Sequence, residues 1–392
     1  MTDHVLKTLM PRSLYVHIPF CHSRCFYCDF TTFVVDTTVR EKYVDHLVKE
    51  LALVANTYTK GERVVLDTVF FGGGTPTLLS AQQWQKIAFA IDTYFIRSTT
   101  CEWTVEANPG STDVSLYETL RAIGVNRLSF GAQTFNEGLL QAIGRLHFAS
   151  DVKKSVDRAR QAGFERINLD LMLGLPDQTI DDAVFAVDEV LRMGITHISA
   201  YGLKIEAGTP FAKWQQQGLL RLPGEDLEVA MYEAVRSKLL TQEFVHYEIS
   251  NFATAGEQAR HNLVYWKNLP YFAVGVGAHG YVFGERYENV RSLAQYEDYI
   301  DQEKRPIATI ETVTKEEAME DTMMLGLRLQ QGVSMKDFQR MHGVPVRQVF
   351  GQQVDSLLAK GLLVQENGQL RIPAKHYEIA NVIFEEFIGV CS

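Results

Sequence analysis

Cysteine is scarce, at five in 392 residues. That is too few for a disulfide scaffold, and an odd number cannot pair completely. Basic residues also run short: 38 Lys and Arg stand against 48 Asp and Glu, for a net charge of −10. This deficit argues against broad, sequence-independent binding to nucleic acid or to anionic membrane, both of which favour basic surfaces. No apolar run approaches the roughly 18 residues needed to span a bilayer, so no integral membrane segment is expected. The opening MTDHVLKTLMPRSLYVHI has no apolar core behind a basic head, and the closing VCS is not a prenylation box. Neither a secretory signal nor a lipid anchor is expected, which places the chain in the reducing cytoplasm. Repeats and low-complexity tracts are absent. With 46% hydrophobic and 22% charged residues, the composition is that of a globular protein and excludes a disordered or fibrous one. At roughly 150 residues per domain the length suits one large domain and one small one.

The large part alternates strand and helix signals. Apolar, β-branched runs occur at 14–18, 64–71, 103–107, 127–133, 166–173 and 196–203. Helical patterns follow near 39–55, 81–95, 113–123, 151–162, 179–193 and 225–241. In the clearest helix Thr179 is an N-cap with Asp182 three residues on, and Gly194 stands at C′. Six such units predict an α/β fold with a parallel sheet and right-handed crossovers, either a partial barrel or a doubly wound layer. The rhythm breaks after residue 242, where FVHYEISNF, AVGVGAHGYVF and RYENV predict extra strands or loops closing one side of the sheet. From 306 a different unit begins. A helix over 346–361 and a hairpin around Asn367-Gly368 predict a smaller α+β, winged-helix-like domain. Its acidic excess makes it a packing or partner module rather than a DNA reader. The expected division is therefore 1–242, 243–305 and 306–392.

Ligands of parallel α/β folds sit outside the carboxyl ends of the strands, and five of these six ends carry unusual residues. The first runs into HIPFCHSRCFYCDF. Cys21, Cys25 and Cys28 are spaced to bend round one soft metal centre, either zinc completed by His17 or His22 or an iron–sulfur cluster with one iron left open. Three core cysteines are the bland alternative. The second strand ends in FFGGGTPT, whose Gly73, Gly74 and Thr75 let backbone N–H groups approach a ligand; it lacks the lysine of a P-loop. Glu106, Gln133 and Asp170 end the next three strands, and their convergence points to a polar small molecule. Cys101, Cys391 and the Met323-Met324 pair have no partner motif and read as packing residues.

HIPFCxxxCxYCDF followed by GGGTPT resembles the radical S-adenosylmethionine (SAM) proteins. Within them it is similar to the oxygen-independent coproporphyrinogen III oxidases and their HemW-type haem-chaperone relatives, over nearly the whole chain. The resemblance implies a partial (β/α)6 TIM-like barrel. It also implies a [4Fe–4S] cluster on Cys21, Cys25 and Cys28, and SAM contacts from Tyr15, Tyr27, Gly73, Gly74, Thr75, Glu106, Gln133, Arg145 and Asp170. An electron passed through the cluster from a reductant protein would release a 5′-deoxyadenosyl radical. Two departures set this chain apart from the oxidases: Phe30 stands where they have a further cysteine, and only twenty residues precede Cys21. HNLVYW (261–266) matches the HNxxYW motif of the HemW-type proteins. It implies haem binding by His261, Asn262, Tyr265 and Trp266, with histidine as axial ligand and the aromatics over the porphyrin face. The reading is thus a haem chaperone that passes haem to haem-accepting proteins, the alternative being coproporphyrinogen oxidative decarboxylation. His279, in GVGAHGY, is a weaker haem candidate.

Overall fold

The computed structural model describes residues 5–391. Six strands, β1 (Ser13–Ile18), β2 (Val64–Gly73), β3 (Phe95–Ala107), β4 (Arg127–Gln133), β5 (Arg166–Leu173) and β6 (His197–Gly202), pair in parallel and in chain order. The intervening helices start and stop where local chemistry directs. Asp36 caps Thr37–Thr59, Ser80 and Gln83 form a capping box at Ala81–Tyr94, and Asp113 caps Val114–Ile123, which ends at left-handed Gly124. Thr179 and Asp182 form the expected box at Ile180–Arg192. Each satisfies N–H groups that the first helical turn leaves without partners.

Alternation along the strands separates core from cavity. In β4, Leu128, Phe130 and Ala132 are buried in the main hydrophobic core, while Ser129, Gly131 and Gln133 line cavities inside the barrel. In β5 the same split sets Ile167, Leu169 and Leu171 against Asn168, Asp170 and Met172. A parallel strand covered on both faces by apolar layers reads as a continuous apolar run; the polar alternates here mark a barrel with a hollow interior. On the outer face Phe71 packs 4.8 Å from Trp84 and 5.8 Å from Trp103, ring to ring.

The added strands lie on both edges of the sheet rather than one. β7 (Val245–Glu248) and β8 (Asn251–Ala253) extend the β6 edge antiparallel, and β9 (Phe272–Val274) joins β1 in parallel. Between them in the chain, the helix Arg260–Trp266 packs on β2, so the chain reaches the far edge before pairing again. A second sheet joins β10 (His279–Val282), β11 (Glu285–Asn289) and β12 (Ile307–Thr312). Because β12 pairs with β11, the division we propose between this extension and the C-terminal unit falls after Thr312 rather than before residue 306. Buried Glu50 accepts hydrogen bonds from Gly275 N–H (2.7 Å), Asn289 Nδ2 (2.6 Å) and Tyr296 OH (2.6 Å), tying the first long helix to the extension.

The C-terminal unit holds helices Lys315–Gly326, Met335–His342 and Val346–Ala359 and a sheet of β13 (Val333–Ser334), β14 (Val364–Glu366) and β15 (Gln369–Arg371). Asn367 and Gly368 both have positive φ, as the predicted hairpin turn demands. This unit has its own core, which includes Met323. Among the described residues no helix is long and apolar enough to cross a membrane.

Candidate metal centre and ligand cavities

The segment from Pro19 to Phe33 loops out after β1 and returns, with Cys21 N–H bonded to Phe33 O (3.0 Å) and Phe33 N–H to Pro19 O (2.6 Å). The closed loop presents Cys21, Cys25 and Cys28 to one cavity. No trio of His, Cys, Asp or Glu among the described residues converges on a point suited to a single ion. His17 does not complete a zinc set. Its Nδ1 pairs with Tyr15 OH (2.9 Å) and its Nε2 with Thr31 O (2.9 Å). Burial pushes the Cys28 thiol up to about 11 and raises Cys21 as well. Donors stand beside two of the sulfurs, Thr75 Oγ1 3.9 Å from Cys21 Sγ and Arg145 Nη1 3.6 Å from Cys25 Sγ. The raised thiols of Cys21 and Cys28 suit a site where iron supplies the missing positive charge.

Seven of the nine residues expected to contact SAM line this same cavity: Tyr27, Gly73, Gly74, Glu106, Gln133, Arg145 and Asp170. Two do not. Tyr15 lines an adjoining outer cavity, and Thr75 is buried between Asn108 Nδ2 (2.7 Å) and Cys21. The glycines are sterically required. A Cβ on Gly73 would stand 2.4 Å from His17 Cε1, and one on Gly74 would stand 2.5 Å from the Phe20 carbonyl oxygen. Gln133 adopts φ 66° beside a register shift in β4, an uncommon conformation for a non-glycine residue at the cavity wall.

The cavity's charges call for a ligand of mixed sign. Glu106 accepts a hydrogen bond from Gly73 N–H (3.1 Å), yet burial, with Asp170's charge second, pushes its carboxyl up to about 8. Burial raises Asp170 too, against hydrogen bonds from its neighbours Ser199 and Asn168. Two buried carboxyls, both shifted upward and sharing one pocket, suit a cationic guest that favours their charged forms. In the same cavity Arg145 is fixed by Asn108 Oδ1 (2.9 Å) and the Gly131 carbonyl, and its buried Nε has no partner within the described structure. A sulfonium and ammonium facing carboxyls, with a carboxylate facing a guanidinium, is the charge pattern of SAM. Sequence reasoning missed Arg24, Asn108, Ser129 and Gly131 in this cavity. Ser129 and Gly131 were readable from their alternation with Gln133, whereas Asn108 belongs to a loop with no period.

The HNLVYW residues do not meet at one surface. His261 is 1% exposed. Its Nδ1 pairs with Thr68 Oγ1 (2.7 Å) and its Nε2 with Tyr265 OH (2.8 Å), and its ring stacks on Phe70 at 5.2 Å. Burial holds its imidazole down to about 3. With both nitrogens engaged, His261 has no lone pair free for iron, contrary to the expectation of axial ligation. Asn262 lines the inner barrel cavity and Tyr265 the outer one, while Trp266 turns to the C-terminal unit beneath Arg328, 4.6 Å from its ring.

Comparison with known proteins bears on this arrangement. Residues 15–190 match the radical SAM superfamily, and 313–375 match the HemN C-terminal domain. The heme chaperone HemW of Bacillus subtilis is 40% identical over 379 residues, covering 96% of this chain and 99% of that protein. The chain belongs to the HemW family of radical SAM proteins. HemW of Lactococcus lactis is 37% identical over 378 residues, covering 96% of this chain and 97% of the relative. The structure of coproporphyrinogen III oxidase from Escherichia coli superposes with a TM-score of 0.83 at 22% identity, covering 97% of this chain and 90% of that one, which establishes the shared fold. Membership in the superfamily implies SAM and a [4Fe–4S] cluster, and the cavity's thiols and charges fit both.

Proposed function

We propose that this chain is a haem chaperone that works in the cytoplasm, binding haem next to a cluster and SAM and handing it to haem-accepting proteins. Cys21, Cys25 and Cys28 hold the cluster. Glu106 and Asp170 face the cationic end of SAM, Arg145 its carboxylate, and Gly73 and Gly74 give its amino acid part room against the backbone. When bound, cluster and SAM supply one-electron cleavage of the sulfonium, with the electron coming from a reductant protein. The chain's own contribution is placement: polar alternates of β4 and β5 orient the ligand, and the Pro19–Phe33 loop covers it.

The observation that carries the chaperone reading is an aromatic cavity of about 370 Å³ beside the thiol cavity. Tyr265 of HNLVYW, Tyr271 and Tyr15 wall it, and Phe30, Gly73 and Glu106 border both cavities. Phe30 is 58% exposed at their junction, where it offers a ring face to a flat guest in place of the oxidases' cysteine. The names of the relatives support the same reading.

The test is haem titration of the anaerobically reconstituted chain, followed by mixing with an apo haem protein. The expected result is a saturable Soret shift and transfer to the acceptor. No saturation, or haem that never leaves, contradicts the proposal. Incubation with SAM, reductant and coproporphyrinogen III is expected to give no decarboxylated product; its appearance would favour the oxidase.

A further inference from the structure

We propose that His279, not His261, is the axial ligand to haem in the outer cavity, and that Arg291 binds a haem propionate at its rim. The inference rests on the chaperone reading and assigns the residues that carry it out.

His279 opens β10 and its side chain is 57% exposed, on the wall of the cavity that Tyr265 and Tyr271 share. The β10–β11 ladder sets it directly across from Glu288, whose Oε1 lies 3.7 Å from His279 Nε2. At 3.7 Å this is a charge contact and not a hydrogen bond. No hydrogen bond of the His279 ring is found among the described residues, so neither ring nitrogen is tied down and Nε2, the less hindered one, can face iron. A carboxylate beside an exposed imidazole favours a cationic or metal-bound ring at this place on the cavity wall. Arg291 lines the same cavity and is 66% exposed. Its Nε donates to Glu288 Oε1 at 2.5 Å, and its Nη groups have no partner among the described residues. Glu288 thus orients a cation suited to a carboxylate-bearing porphyrin, next to a histidine free to meet the iron.

The loop before His279 is built to place it. Gly275 has φ +104° and Gly277 φ +69°; a Cβ on the first would stand 2.6 Å from the His17 carbonyl oxygen, and one on the second 2.7 Å from Thr31 Oγ1. The loop therefore runs against β1 and the cysteine segment, with Glu50 anchoring Gly275 N–H from beneath. His261 has a different task. Its bond to the Tyr265 hydroxyl steadies that ring, which packs edge-on against Tyr271 at 4.8 Å between centroids. His261 is a positioning residue behind the cavity wall, and His279 faces the guest.

The experiment titrates ferric haem into the SAM-loaded, cluster-bearing chain and into His279→Ala and Arg291→Gln, with the Soret band and electron paramagnetic resonance as readouts. Iron content checks that each variant is assembled. The expected result for His279→Ala is loss of the histidine-ligated signature and at least about tenfold weaker binding, with free imidazole restoring the signature. Arg291→Gln is expected to weaken haem binding about three- to tenfold and to leave the affinity for haem dimethyl ester at the wild-type value. Wild-type spectra and affinity in both variants would overturn the inference and leave the chaperone reading standing. Failure of the wild-type chain to bind haem at all would overturn both.

Discussion

Replacing Glu106 by glutamine is expected to weaken SAM binding while stabilising the ligand-free protein. Burial and Asp170 push this carboxyl up to about 8, from an ordinary value of 4.5. The folded chain therefore keeps a proton that the unfolded chain releases. Stability from this group is complete below pH 4.5 and is lost as pH rises towards 8. At pH 7 the unfolded carboxyl lies about 2.5 pH units above its pKa, so ionisation favours unfolding by about 3 kcal/mol. An amide at this position has no such proton to lose, so the stability of Glu106→Gln relative to wild type is expected to rise by up to about 3 kcal/mol between pH 4 and 7. Ligand binding runs the other way. A cation at Glu106 favours its ionised form, so SAM affinity of the wild-type chain is expected to climb with pH below 8 by up to about tenfold per unit, then level off. Losing a charged hydrogen-bonding partner costs about 1.5–3 kcal/mol, or roughly ten- to 150-fold in affinity, and should flatten that slope. Calorimetric SAM titration from pH 6.5 to 8.5 and thermal unfolding of the ligand-free forms measure both effects. An affinity independent of pH, or a slope that persists in Glu106→Gln, refutes the reasoning.

Gly74→Ala forces a methyl group within 2.5 Å of the Phe20 carbonyl oxygen, next to Cys21. It is expected to cost about 1–3 kcal/mol and to lower iron per chain after reconstitution, both readable by unfolding and iron assay. His261→Ala removes a buried ring and leaves Thr68 and Tyr265 without their partner. A loss of about 2–4 kcal/mol is expected, with the histidine-ligated haem spectrum retained by the folded fraction; disappearance of that spectrum with stability unchanged contradicts its assignment as a positioning residue.

The barrel was legible because strand and cap signals agree along the chain. β4 and β5 begin and end at the predicted residues, and the box at Thr179 forms as read. The glycines and carboxyls of the thiol cavity were readable for the same reason: strand ends lie at one rim, and side-chain period two sends alternate residues inward. Strand position alone does not say which of two adjoining cavities a ring enters, and Tyr15 lines the outer one, beside Gly73 and Glu106, which border both. The added strands were seen but not their edges, since β9 pairs with β1, a strand more than 250 residues earlier in the chain. His261 shows the limit most sharply. A histidine among aromatics reads as a ligand, yet Thr68, from a strand nearly 200 residues earlier, occupies one of its nitrogens.

Three sulfurs gripping one iron cube are the foundation of the function proposed for this chain. Iron analysis and Mössbauer spectroscopy of the anaerobically reconstituted chain are expected to give roughly four irons in a cubane. In the chain with Cys21, Cys25 and Cys28 all changed to serine, essentially none should remain. Equal iron and an unchanged spectrum in that variant would contradict it.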